Sequence, residues 1–169
     1  MDISMINHVS DSSKWELLID NDECVICKHT EPCDDYIHAV GSAFAIAQKT
    51  ILTDNSGRKS GIIFCASYLS KLDEETQNFV MCHEVGHIVN GDLENMTGLL
   101  SRLIMLLRIL GIVPKMEIMA DAFAASVIGK DATKKSLMWL AKFKPLGLIG
   151  RRDAFIRWLV LSLLPIKNV

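Results

Sequence analysis

The pentapeptide His83-Glu84-Val85-Gly86-His87, inside the run FVMCHEVGHIVNGD, places two imidazoles around a carboxylate at a spacing that only a helix makes useful. At about 100° per residue, His83 and His87 stand one turn apart on one face, so their ring nitrogens can converge on a single cation. Glu84 lies beside them, where it can take a proton from water. This HExxH spacing is the pattern of a zinc site with a glutamate base. A hydrolytic zinc takes three protein ligands and keeps one position open, so a third ligand must come from elsewhere. The other histidines, His8, His29 and His38, all precede the motif, and none stands in a second helical arrangement. Glu117 is the expected third ligand, because it lies on a downstream helical segment that can fold back against the first. Asp121, one turn further along the same face, can accept the outer N–H of a ligand histidine and fix its tautomer. Taken alone, HExxH also fits a helix whose histidines are ordinary satisfied polar residues. The paired carboxylates at positions 117 and 121 weigh against that reading.

The elements that must position these groups are legible around them. Asp73 can cap the first helix, Glu74 and Glu75 suit its positive end, and Gly91 lies where it should stop. Gly86 lowers helix stability by about 1 kcal/mol relative to alanine, which implies close approach by another segment, where a sheet edge or a substrate could lie. The second helix spans Lys115 to Ile128, with Gly129 as its C-terminal cap. Asp131 is expected to cap a third helix running through Trp139 and Phe143, broken by Pro145. A last helix is expected from about Arg151 to Leu164, ended by Pro165.

The region before the motif is β-rich. Trp15-Glu16-Leu17-Leu18-Ile19 suggests a first strand, and Ser42 to Ala47, Thr50 to Thr53 and Gly61 to Ser67 suggest others, with a turn at Asp54-Asn55-Ser56-Gly57. Cys24, Cys27, His29 and Cys33 have a spacing that could hold a second, structural zinc. With no second CxxC, the favoured reading makes them small strand or loop residues. The resulting fold class is α+β, with a small N-terminal sheet followed by a mostly helical half.

At 169 residues the chain is expected to form one domain, with residues 1–13 as a solvated leader, 14–70 as the β-rich part and 71–169 as the helical part. The formal net charge of −2, with both signs interspersed, gives no footprint for nucleic acid. The polar N-terminal residues do not read as a secretory signal and the five cysteines fit reduced thiols, so the expected compartment is the cytoplasm. No run reaches the ~20 apolar residues of a spanning helix. Residues 97–113, closed by Pro114, and 151–164 are nevertheless strongly apolar, and admit packing, self-association, a partner or contact with a membrane surface.

HEVGH followed by EIMADAFAA resembles the gluzincin zinc metallopeptidases, whose pattern is HExxH and then a glutamate-bearing second helix. With SAFAIA and IIFCASYLSKLDEETQNFVMCHEVGHI upstream, residues 42 to 130 resemble the family of the HtpX heat-shock proteases and CAAX prenyl proteases, and their small soluble relatives, the minigluzincins. The resemblance implies a zincin-like fold and a zinc-dependent metalloendopeptidase acting on a peptide or protein substrate. It implies one catalytic Zn2+ held by His83, His87 and Glu117, with Glu84 as base and Asp121 in support. It also implies that Ala43, Phe44 and Ala45 border the cleft as a substrate-edge strand. Such enzymes use a Tyr, His or Arg to stabilise the oxyanion, for which Tyr36, His38, Arg151 and Arg152 are candidates. ImmA/IrrE-like regulatory proteases share much of the pattern and are the closest alternative. A zinc-binding, non-proteolytic partner-binding protein is the other.

Overall fold

Short apolar and β-branched runs make the first part of the chain a sheet, and longer patterns of period 3.6 make the second part helical. The computed structural model describes residues 15–20, 24–35, 44–49, 59–92 and 98–165. Four strands, β1 (Trp15–Asp20), β2 (Cys24–His29), β3 (Ala45–Lys49) and β4 (Lys59–Cys65), lie in the order β1-β2-β4-β3. The β1–β2 and β4–β3 pairs are antiparallel and β2–β4 is parallel. Among the described strands, β3 is therefore an edge of the sheet. Five helices follow: α1 (Glu74–Val89), α2 (Gly98–Ile109), α3 (Lys115–Ile128), α4 (Lys130–Lys142) and α5 (Gly147–Leu163). The α+β class expected from the sequence, a small sheet and then a helical half, is the one observed.

The core forms where α1 lies across the sheet and against α3. Ile26 of β2, Ile63 of β4, Phe79 of α1, Leu137 of α4 and Leu161 of α5 are fully buried in it. Two glycines make the close packing possible. A Cβ on Gly61 would stand 2.5 Å from Ile88 Cδ1, and one on Gly86 would stand 3.0 Å from Ala120 Cα. The close approach by another segment inferred at Gly86 is real, and helix α3 is the segment that makes it, in the place where a sheet edge or a substrate could have lain.

Several boundaries depart from expectation for local reasons. Of the strand expected over Ser42 to Ala47, Ser42 lies outside the described residues and the described pairing runs over Ala45–Lys49. Helix α2 stops well before Pro114: Gly111 takes φ +81°, and the Ile112 N–H closes back on the Leu107 carbonyl at 2.8 Å. Pro114 instead precedes α3 in an extended conformation. Asp131 sits in the first turn of α4, whose N-cap is Gly129. α5 begins a turn earlier than expected, because a short 3-10 turn at Lys144–Leu146 accommodates Pro145 before it. The leader, Tyr36, His38, Ala43, the Thr50–Thr53 strand and the turn at 54–57 lie outside the described residues.

The cysteine cluster does not assemble as a metal knuckle. Cys24 and Cys27 are three apart on β2, where side chains alternate, so their thiols leave opposite faces of the sheet. Cys33 Sγ meets His29 Nδ1 at 3.2 Å, and His29 also stacks on Phe64. No helix among the described residues is long and apolar enough to cross a membrane.

Candidate metal centre

Helix α1 begins where Asp73 accepts the Thr76 N–H at 3.0 Å, with Glu74 and Glu75 in its first turn. Three turns further on, His83 and His87 are buried on the face turned to α3. Gly86, on that face, lets α3 approach closely enough to bring Glu117 and Asp121 against them. His83 Nδ1 meets Asp121 Oδ1 at 2.9 Å, and His87 Nδ1 meets Asp92 Oδ2 at 2.9 Å. Both rings are thus oriented by carboxylates, and in a neutral ring with Nδ1–H donating, Nε2 keeps its lone pair for a cation.

Those two Nε2 atoms face each other at 3.1 Å, and Glu117 Oε2 stands 3.4 Å from that of His83. Three acceptors so close repel one another unless positive charge lies among them. Atoms held about 2 Å from a tetrahedral ion stand roughly 3.3 Å apart, which these separations match. The ligand atoms of His83, His87 and Glu117 all lie within 4.8 Å of one another, and among the described residues they form the one such cluster. The donor set of two imidazoles and a carboxylate fits a zinc ion.

Glu84 is anchored from the other side. The Ala47 N–H of β3 donates to Glu84 Oε2 at 2.7 Å, which fixes the carboxylate against the sheet edge and leaves its second oxygen for proton work. The strand's own pairing explains this contact. The Phe44 carbonyl accepts the Ala66 N–H at 2.7 Å and so faces inward, which turns the main-chain groups of Ala45 and Ala47 to the outer edge. Phe44 itself packs its ring against Tyr68 and Phe143, and is a core residue at the base of the edge.

Electrostatics at the centre are dominated by a residue to which the sequence reading assigns no role. Arg157 of α5 is buried and donates through Nε to Asp121 Oδ2 at 2.7 Å and through Nη2 to Asp121 Oδ1, while its Nη1 lies 3.2 Å from Glu117 Oε2. Arg108 of α2 joins from the rim, with Nε 2.7 Å from Asp153 Oδ2 and Nη2 3.6 Å from Glu117 Oε2. Burial alone would raise the Glu117 pKa, but the His83 hydrogen bond and the Arg157 and Arg108 charges hold it well below the ordinary carboxylate range. Asp121 is likewise lowered: its burial is outweighed by Arg157 and His83. Burial and Arg157 act to lower the His83 pKa, yet the hydrogen bonds to Asp121 and Glu117 prevail and raise it to about 9.

The family model of Peptidase family M48 matches residues 52–144, just over half of the chain. The chain belongs to Peptidase family M48. It is thereby a metallopeptidase in general type. Neither the curated proteins nor the solved structures compared with it gave a match.

Within this M48 chain, His83, His87, Glu117 and Asp121 come together and Glu84 lies at the sheet edge beside them. Arg151 and Arg152 do not join them. Arg151 donates to the Ala141 carbonyl at 2.9 Å, and Arg152 to the carbonyls of Arg108 and Ile109, so both brace helix ends instead of facing the cluster. Arg157, Arg108, Asp153 and Asp92 are the site residues that sequence reasoning misses. One signal for Arg157 is present: Asp153, Arg157 and Leu161 recur every four residues, which puts charge on the buried stripe of an apolar helix.

Proposed function

We propose that this chain is a zinc-dependent metalloendopeptidase in which Glu84 is the general base. The observation that carries the reading is the convergence of His83, His87 and Glu117 Oε2 from two packed helices, with Glu84 tied to the Ala47 N–H of the edge strand. A zinc ion held by His83, His87 and Glu117 would supply Lewis acidity, acidifying water and polarising a carbonyl near neutral pH. Glu84 takes the proton from the attacking water and later delivers it to the leaving amine. Asp121 and Asp92 orient His83 and His87, and Arg157 keeps Asp121 and Glu117 ionised while they do so. An extended peptide would lie along the strand around Ser42 to Ala47 and add to the sheet, a mode that binds many sequences with little selectivity.

Glu84→Gln separates hydrolysis from metal binding. The variant should retain zinc by metal analysis and lose cleavage of a denatured-protein or peptide-library substrate. A parent chain that binds zinc stoichiometrically and cleaves nothing would favour a non-proteolytic binding role instead. Glu117→Ala should lower zinc affinity by roughly a hundredfold or more, and unchanged affinity would remove Glu117 from the ligand set.

A further inference from the structure

The two sides of α5 have opposite character. Asp153, Ala154, Arg157 and Leu161 are buried, while Leu148, Arg152, Phe155, Leu159 and Leu163 recur on the other side, with Leu148 83% and Leu163 78% exposed. Helix α2 repeats the pattern: Leu103, Leu106 and Leu110 form an exposed stripe, and Ile112 just beyond it is exposed as well. The stripes meet. Arg152, which stands between Leu148 and Phe155 on the α5 stripe, donates to the last carbonyls of α2 and lies against Gly111, so the C-terminal end of α2 meets the α5 stripe at Arg152. Surface leucines scattered singly need no explanation, whereas two adjoining stripes of them mark a contact surface.

Charge says what that surface meets. Residues 98–115 carry three basic residues and no acidic one, and residues 142–165 carry five basic and one acidic. Of a chain whose formal net charge is −2, these two segments hold +7 and the remainder −9. Arg108, Arg157 and Asp153 turn inward to the metal centre, but Lys115, Lys142 and Lys144, in the same segments as the apolar stripes, stay exposed, as does Arg152 on the α5 stripe. The one acidic residue of the two segments, Asp153, is buried against Arg108, so neither segment exposes a carboxylate.

We propose that this face docks on an anionic membrane surface, with the apolar side chains of α2 and α5 entering the acyl boundary and the four cations lying over the headgroups. At 1.5 Å per residue the 17 residues of α5 extend about 25 Å, short of the ~30 Å hydrocarbon layer, so the helix lies on the bilayer and does not span it. A second copy of the chain is a poorer occupant. A two-fold dimer built on this patch would set the same cations against each other. The inference stands independently of the metal centre, because none of the exposed residues touches it.

Vesicle flotation of the full chain tests the proposal, using phosphatidylcholine alone and phosphatidylcholine with about a third phosphatidylserine. The chain should float with the anionic vesicles and bind neutral ones at least roughly tenfold more weakly, and raised salt should weaken the anionic binding. Leu148→Asp with Phe155→Asp should reduce binding by roughly tenfold or more while the far-ultraviolet circular dichroism and melting curve stay those of the parent. Lys142→Gln with Lys144→Gln should lose roughly thirtyfold on anionic vesicles and little on neutral ones. Failure to float with either vesicle, or equal binding to both, would overturn the proposal. So would a dimer in solution that Leu148→Asp with Phe155→Asp dissociates in the absence of vesicle binding.

Discussion

Replacing Arg157 with methionine should lower the stability of the metal-free chain by about 3–5 kcal/mol, the usual effect of removing one partner from a buried ion pair. The structure favours the lower end. Asp121 is only 1% exposed and would lose two hydrogen bonds from the guanidinium, but it would keep the one from His83. Glu117 would lose a cation 3.2 Å away and keep the more distant Arg108. For a chain of this length a loss of about 3 kcal/mol corresponds to a fall in melting temperature of roughly 6–12 °C. The assay is thermal and urea denaturation at neutral pH with chelator present, so that metal binding does not add to either state. The decisive comparison is a double-mutant cycle with Asp121→Asn. A buried pair whose charges are both removed is far less disruptive than one left half-broken, so the double variant should be more stable than the sum of the single losses predicts. Arg157→Lys keeps the charge without the planar fork and should recover only part of the loss. If Arg157→Met melts within about 1 kcal/mol of the parent, or if the two substitutions simply add, the guanidinium is not what holds these carboxylates.

Gly86→Ala should destabilise the chain in spite of the gain of about 1 kcal/mol in helix propensity, because the new methyl would lie 3.0 Å from Ala120 Cα and 3.2 Å from Phe123 Cβ. As it wedges α1 from α3, calorimetry should also show weaker zinc binding, and unchanged stability and affinity would mean that the helices yield there freely. Asp73→Ala should lower stability by about 1 kcal/mol through loss of the cap. Thr76, through its side-chain and backbone hydrogen bonds, holds the Asp73 pKa below its ordinary value, so the cap's ionised contribution is present above about pH 4 and is lost as pH falls through the folded value. Melting curves of parent and variant should therefore differ most near neutrality and converge in acid, and a constant difference would refute the linkage.

His83, Glu84 and His87 can be read from the chain because helical periodicity is local: residues four apart meet wherever the helix lies. Glu117 and Asp121 obey the same periodicity and require only that two helices touch, which Gly86 already hints. Arg157 and Asp92 lie beyond such reading. Arg157 reaches Asp121 only because α5 packs beside α3, and Asp92 reaches His87 only because the chain turns at Gly91. The CxxC at Cys24 and Cys27 shows the converse, since a spacing that suits a metal knuckle means nothing once its residues alternate across a strand. Charge joins the readable residues to the unreadable ones. Glu84, Asp92, Glu117, Asp121 and Asp153 bring five carboxylates to this corner, whereas Arg108 and Arg157 bring two guanidiniums. Protonating Glu117 or Asp121 does not close that deficit, because His83, Arg157 and Arg108 hold Glu117 ionised and Arg157 and His83 hold Asp121 so. A proton on His83 removes one unit of it and a divalent cation removes two, so the groups contributed by distant helices make the three converging ligands a better site for a dication than for a proton.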